Sequence, residues 1–443
     1  MEVTPAFLHK QTGRLEADGA ATFARDVLNR AKLDDVMFSA ASPLTEFNIT
    51  LPEKVEPLNQ EASGRCWIFA GLNVIRRKLI RKHKLPPDYA LSASFISYHD
   101  KIEKCNTYFE VVKVLIREKR LFSDNPDHGA VLSYLRAVYL GDGGTFAWLQ
   151  ALVAKYGLVP ESAYPSNQQA NHTATMNKML QVRLDRAIQQ LSKDKSMDKK
   201  IFMADCHRII TTCMGIPPTN VQWSRPHPSK AIALTPLQFY HQIVQPLIDI
   251  DQYIQLVHDP RFPFNRWLAV EGIATCLVEQ KTPDLKTMST HIFLNVELDV
   301  IKAAVHESLV DEHTAVWFTG DVATYAAMNR ALLIMPAEHS PLKNLFGDEL
   351  ITNKRQMYES LTSYPNHAMV FVGILIGPGK EITRFQVENS WGVSLAKGFV
   401  TMSDAWFNCF LGAVAVPKSM IKNKNTKDTI WLPYWDVHGT VAD

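Results

Sequence analysis

A cysteine at the mouth of a long helical pattern limits what this chain can become more than any other feature. In Gln60-Glu61-Ala62-Ser63-Gly64-Arg65-Cys66-Trp67-Ile68-Phe69 a glycine-containing turn gives way at Cys66 to a run that reaches Lys84 with no Pro and, within it, only Gly71. Ile68, Leu72, Ile75 and Leu79 recur at spacings of four, three and four, which is one apolar stripe on a helix. Cys66 therefore sits in a first turn. Unpaired N–H groups and the positive end of the helix dipole favour an anion there, so the thiolate form is stabilised and becomes available as a nucleophile. Gln60, six residues upstream, brings a side-chain N–H donor to the same neighbourhood. A small buried apolar thiol would suit the following Trp-Ile-Phe equally well, so the reading turns on what else the chain supplies.

Several function classes are disfavoured by composition. At 443 residues and 46% apolar content the chain can bury large cores. A net charge of +2 gives no global field for nucleic acid or an anionic membrane. The local basic runs Arg76-Arg77-Lys78 and Arg81-Lys82-His83-Lys84 read as the solvated face of the helix. Residues 1–19 hold no apolar core long enough for a signal peptide, and no window approaches a membrane span, so a cytoplasmic protein is expected. Six cysteines without a CxxC pair fit free thiols in a reducing compartment better than a disulfide framework. Cys206-His207 with Cys213 matches no common zinc spacing, and Gly377-Pro378-Gly379-Lys380 lacks both the leading glycine and the Ser or Thr of a phosphate loop. No metal and no cofactor are expected.

Along the chain, periodicity predicts a helix over 20–32, the Cys66 helix, a second helical block over 92–118 and another over 146–155. Asp142-Gly143-Gly144 before the last of these brings bare backbone to a surface, where φ above zero is allowed and an extended peptide can pair with the main chain. Residues 160–290 read as mostly helical, with Thr235-Pro236-Leu237-Gln238 in the form of a capping box. Past 290 the texture turns to short β-rich runs at 315–318, 368–376, 385–388 and 398–402, the 377–380 turn joining two of them. An aromatic tail, Trp431-Leu432-Pro433-Tyr434-Trp435, follows a polar link and is expected to dock, since burying such surface is favourable.

His367 opens the strand Ala368-Met369-Val370-Phe371-Val372, and Asn389 ends the strand Phe385-Gln386-Val387-Glu388 just before Ser390-Trp391-Gly392. A thiolate needs an imidazole to hold a proton and return it to a leaving amine, and the imidazole needs a partner to fix its ring, a job Asn can do while staying neutral. These pieces resemble the papain-like cysteine peptidases. The 301 residues separating Cys66 from His367 are about twice the papain-type interval of roughly 130–150 and call for an insertion.

That larger branch is the bleomycin hydrolase family, and the resemblance runs over nearly the whole chain. It is carried by Asn59-Gln60 through Cys66-Trp67, Asp100-Lys101-Ile102-Glu103-Lys104, Asp142-Gly143-Gly144 and Leu234-Thr235-Pro236-Leu237-Gln238-Phe239-Tyr240. It continues through Ala315-Val316-Trp317-Phe318, His367-Ala368-Met369, Val387-Glu388-Asn389-Ser390-Trp391-Gly392 and Leu432-Pro433-Tyr434-Trp435-Asp436.

The resemblance implies an α+β, papain-like fold: an N-terminal arm (1–58), a helical domain with the nucleophile (59–160), a helical insertion (161–290), an antiparallel β-barrel domain with His and Asn (291–420) and a C-terminal arm in the cleft (421–443). It implies Cys66 as nucleophile, His367 as general acid and base, Asn389 as its orienter, Gln60 as oxyanion donor and Trp391 as a shield over the His–Asn bond. Gly143 and Gly144 would pair with substrate, and the terminal carboxylate, on Ala442 or Asp443, would meet the α-ammonium of a peptide with a free N-terminus. A cytoplasmic homohexamer acting as an aminopeptidase is thereby implied. The ending Gly439-Thr440-Val441-Ala442-Asp443 departs from the family's usual Gly-Ala-Leu-Ala, and Thr145-Phe146-Ala147 stands where Gln-Trp-Asp is common. Two rivals remain: a papain-like endopeptidase with an open cleft, and a nucleic-acid-binding assembly using the basic face of the Cys66 helix and the lysines near residue 424.

Overall fold

The computed structural model describes residues 2–37, 46–122, 127–194, 198–224, 231–278, 283–335, 346, 353–394, 396–421 and 428–440. The chain begins with α1 (Pro5–Glu16) and α2 (Gly19–Leu28), the second capped by the Asp18 carboxylate, which accepts from the N–H groups of Ala20 and Ala21. Periodicity predicts one helix here. The other, α1, escapes it because its apolar residues make no inward stripe, and none of them is buried. After α3 (Leu33–Met37) and the short strand β1 (Ile49–Thr50) comes α4 (Cys66–His83), which stops where Lys84 turns left-handed at φ 51°.

Helix α5 (Ala93–Arg117) is capped by Ser92, whose hydroxyl accepts from Phe95 N–H; α6 (His128–Leu140) and α7 (Phe146–Tyr156) follow. The short α8 (Gln168–Asn171) leads to α9 (Ala174–Lys193) and α10 (Lys199–Met214), which pack on one another and on α5.

The helical character expected as far as residue 290 gives way after Met214 to short strands and short helical turns. Strands β2 (Val221–Trp223) and β3 (Ile232–Leu234) pair as a separate hairpin, and α11 (Pro236–Phe239) opens with the complete Thr235/Gln238 capping box. Then β4 (Tyr253–Val257) and β5 (Arg266–Val270) enter the main sheet. Each is five residues long and apolar on both faces at its C-terminal end, so neither shows the alternation that marks a strand in sequence.

The remaining elements are α12 (Leu285–Met288), β6 (Ile292–Asn295), α13 (Leu298–Val310), β7 (Val316–Gly320), β8 (Ala326–Ala327), β9 (Leu332–Leu333) and α14 (Lys354–Glu359). After them come β10 (His367–Ile376), β11 (Ile382–Glu388), β12 (Phe399–Ser403), α15 (Asp404–Phe410), β13 (Leu411–Pro417) and β14 (Thr429–Leu432). Among the described residues one sheet runs β14-β5-β6-β4-β13-β7-β10-β11-β12-β9-β8, with β1 added beside β10. Its pairs are antiparallel except β14 with β5, β4 with β6 and β12 with β9. The 377–380 turn closes the β10–β11 hairpin, Gly377 N–H donating to Glu381 O at 2.9 Å. The aromatic tail docks through the β14 backbone, Leu432 and Tyr434, while Trp431 and Trp435 stay at the surface.

Helix α4 lies against β10 and β7 and is buried along most of its length. The solvated basic face expected of it is therefore corrected at two positions: Arg76 and Arg77 both point inward onto the fully buried Glu388 at the end of β11. Arg76 Nη2 donates to Glu388 Oε1 at 3.0 Å and Arg77 Nε to Oε2 at 3.0 Å. Two more of the run are engaged, Lys78 with Glu312 O at 2.8 Å and Arg81 with Glu53 Oε1 at 3.1 Å. Four of the six Arg and Lys residues in that run are thus engaged within the chain. The lysines near residue 424 lie outside the described residues.

Candidate active site

The start of α4, the start of β10 and the end of β11 converge. Cys66 is the first helical residue and fully buried, and Ala368 N–H donates to its sulfur at 3.4 Å, which puts the thiol beside the peptide bond joining His367 to Ala368. His367 Nε2 meets Asn389 Oδ1 at 2.9 Å. The same oxygen accepts from Ser390 N–H at 2.8 Å, so the amide end facing the ring is an acceptor. The neutral imidazole then carries its proton on Nε2, and Nδ1 is left as the basic nitrogen. Burial pushes the His367 pKa down to about 4, the Asn389 bond partly opposing it. The Trp391 indole lies beside the imidazole, ring centres 4.9 Å apart, on the solvent side of the His–Asn contact.

Gln60 is fixed at both ends. Its Oε1 accepts from Ser390 Oγ at 2.6 Å and its Nε2 donates to Ser63 O at 2.6 Å, which uses one of two amide hydrogens. Backbone pairing supports this placement, Gln60 N–H donating to Ser390 O at 2.8 Å and Gly392 N–H to Leu58 O at 3.0 Å. Arg65, wholly buried, donates to Ser63 Oγ at 2.8 Å, Ser94 Oγ at 3.1 Å and Asn171 Oδ1 at 3.0 Å, stitching the 60–65 turn to the helical layer. Burial lowers its pKa to about 10 despite Asp142 and Glu161, so it stays charged at neutral pH.

The glycine turn is held to the cysteine turn by Asp142. Its carboxylate accepts from Gly64 N–H at 3.0 Å, Lys101 Nζ at 2.6 Å, Asn177 Nδ2 at 3.0 Å and the Thr173 hydroxyl. Burial alone would raise its pKa; Lys101 and these donors outweigh that and hold it far below the ordinary carboxylate range. Gly143 O accepts from Lys104 Nζ at 2.6 Å, and Trp67 Nε1 donates to Asp142 O at 2.8 Å. Positive φ is not what the run requires: Gly144 has no left-handed φ, but a Cβ on it would come within 2.3 Å of the Trp67 indole. Gly144 also borders a small cavity lined by Trp317, Pro365, Val437, His438 and Thr440, so the glycine turn and the C-terminal segment face one cavity. Ala442 and Asp443 lie outside the described residues.

Sequence reasoning did not single out Ser390, Ser63, Arg65, Asp142 or Glu388 as individual supports. All five stand inside the motif blocks quoted for the resemblance, and that proximity was the signal available.

A family model described as the Peptidase C1-like family matches residues 2–439. Human bleomycin hydrolase is 27% identical, covering 97% of this chain and 96% of its own length. Aminopeptidase C of Listeria monocytogenes is 30% identical, covering 87% and 86%. The crystal structure of pepw from Lactobacillus rhamnosis is similar with a TM-score of 0.85 and 27% identity, over 100% of this chain and 99% of that one.

Proposed function

The chain belongs to the Peptidase C1-like family, and from that premise we propose that it is a cysteine aminopeptidase of the bleomycin hydrolase type, cutting single residues from free N-termini through an acyl-thioester on Cys66. The main support is a pair of contacts on adjacent residues of one strand, His367 Nε2 with the Asn389 oxygen and Ala368 N–H with the Cys66 sulfur.

In the proposed reaction the Cys66 sulfur, its proton on His367 Nδ1, attacks the carbonyl carbon of the substrate's N-terminal residue. The oxygen that gains the electron pair meets the Cys66 N–H and the remaining Gln60 Nε2 hydrogen, two donors fixed before substrate arrives. Collapse breaks the C–N bond, and His367 hands its proton to the departing amine. Water then gives a proton to the same nitrogen as it attacks the thioester, releasing the carboxylic acid and restoring the thiol. Asn389 keeps the ring oriented through both halves, with Trp391 covering that bond.

The reading assigns the nucleophile to residues 59–160 and the imidazole with its amide to residues 291–420, with 1–58 and 421–443 as arms. Gly143 and Gly144 offer main-chain groups to an extended peptide, and a terminal carboxylate on Ala442 or Asp443 pairs with the α-ammonium, which selects free N-termini. We extend it to a homohexamer in the cytoplasm; six free cysteines suit a reducing compartment, and sedimentation would report the subunit number. The test is hydrolysis of aminoacyl fluorogenic amides with free and acetylated amino groups. The free compounds should be cleaved, the blocked ones spared and Cys66→Ala inert; turnover by Cys66→Ala overturns the reading, and equal cleavage of blocked compounds makes the protein an endopeptidase.

A further inference from the structure

The C-terminal segment is tied down just before Thr440. Arg261 presents a two-pronged fork to Asp436, Nη1 to Oδ2 and Nη2 to Oδ1, both at 2.9 Å. From behind, Asp259 accepts from Arg261 Nη2 at 2.8 Å and from its Nε at 3.1 Å. Asp259 in turn is set by Asn295, which accepts its N–H at 2.8 Å and donates to its carbonyl at 3.0 Å, where β4 and β6 end. Beyond Asp436 the chain is caught again. His438 Nε2 donates to Asp259 Oδ2 at 2.9 Å, and His291 Nε2 donates to His438 O at 2.7 Å. Gly439 turns so tightly that a Cβ there would come within 2.1 Å of Tyr434 O. Thr440 Oγ1 then contacts Pro365 O at 3.3 Å, two residues from His367.

Buried ion pairs are weak contributors to stability, because desolvation offsets most of their attraction; their best-attested use is to fix register. Here the tail is already docked by β14, so a further pin of three charges, mostly buried, sets a position along the cleft. One residue of slip in an extended segment moves its end by about 3.3 Å, on the order of a whole substrate residue. We propose that the Asp259–Arg261–Asp436 bridge is a register pin that fixes how far the C-terminal segment reaches along the cleft, making Arg261 a positioning residue for where an incoming peptide is stopped. This rests on the aminopeptidase reading and names the groups that impose it.

The test compares Arg261→Gln, Asp436→Asn and the conservative Arg261→Lys in the full chain on a free-N-terminus peptide ladder and its acetylated twin. With Arg261→Gln and Asp436→Asn the ratio of blocked to free cleavage should rise about tenfold or more, the equivalent of about 1.4 kcal/mol in relative preference, and products longer than one residue should appear. Arg261→Lys should fall between. Combined with removal of Ala442 and Asp443, Arg261→Gln should add nothing to what that removal does alone, since both act through the same stop. Folded variants that keep one-residue trimming and an unchanged ratio overturn the pin, as does a multiplied effect in the combination. Should the variants not fold, insertion of one glycine after Gly439 leaves the bridge whole and must still change product length; unchanged products would sink the proposal. A wild-type protein that cuts blocked and free peptides alike refutes the aminopeptidase reading instead.

Discussion

Replacing Glu388 by glutamine would leave two guanidinium groups facing a neutral amide in a fully buried spot. Burial by itself pushes the Glu388 carboxyl up, but Arg77 and Arg76 outweigh it and hold the group ionised well below its ordinary range. Removing one member of such a cluster costs about 3–5 kcal/mol, because the remaining charges stay buried without compensation. Removing all three is a different matter. Arg76→Met, Arg77→Met and Glu388→Leu together take away every charge at similar volume. They also cost the Arg76 bonds to Glu56 O at 2.8 Å and Tyr89 O at 3.3 Å and the Arg77 bond to Glu53 O at 3.4 Å, about 1 kcal/mol each. The triple variant should therefore recover about half or more of the single variant's loss. Urea unfolding followed by tryptophan fluorescence measures both. Activity should track the result, since the cluster joins the helix that opens at Cys66 to the strand that delivers Asn389. A Glu388→Gln protein within about 1 kcal/mol of wild type, or a triple variant no better than the single one, would refute the reasoning.

Gln60→Ala should lower kcat by about a hundred- to a thousandfold, the usual consequence of losing one oxyanion donor; an unchanged rate removes Gln60 from that role. Ser390→Ala frees the Gln60 carbonyl oxygen without deleting the donor and should produce a smaller loss, read in kcat with KM little altered. The acid side of the kcat/KM profile should follow the depressed His367 value of about 4. Above that pH the imidazole is neutral and able to take the thiol proton; below it the base is lost, so activity should hold from pH 7 to about 5 and fall through 4. An acid limb near 6.5 would mean that the ring is exposed to water in the working enzyme.

Features encoded within a dozen residues were legible. The first-turn position of Cys66, the Thr235/Gln238 box and the 377–380 hairpin depend on local spacing and turn chemistry, and each stands in the structure. The contact between His367 and Asn389 was legible because strand ends frame both residues. What depends on distant partners was not. Arg76 and Arg77 look solvated on any helical projection, since the carboxylate that draws them inward lies more than three hundred positions away. Strands β4 and β5 are too short and too evenly apolar for periodicity to separate them from buried helix. Exposed α1 has no stripe to read. Gly144 was recognised as special for its freedom of φ, whereas the Trp67 indole pressed against it leaves no room for a side chain.

The parallel pairing of β14 with β5 has a mechanical consequence. The strand leading to the tail and the strand opening with His367 are rungs of the same hydrogen-bonded ladder, with β5, β6, β4, β13 and β7 between them. Displacing β14 would mean unzipping a rung of that ladder, so under the aminopeptidase reading proposed above the tail would serve as a doorstop, not a hinged gate. On that reading a substrate must adapt to the enzyme, its length gauged against a wall that does not yield.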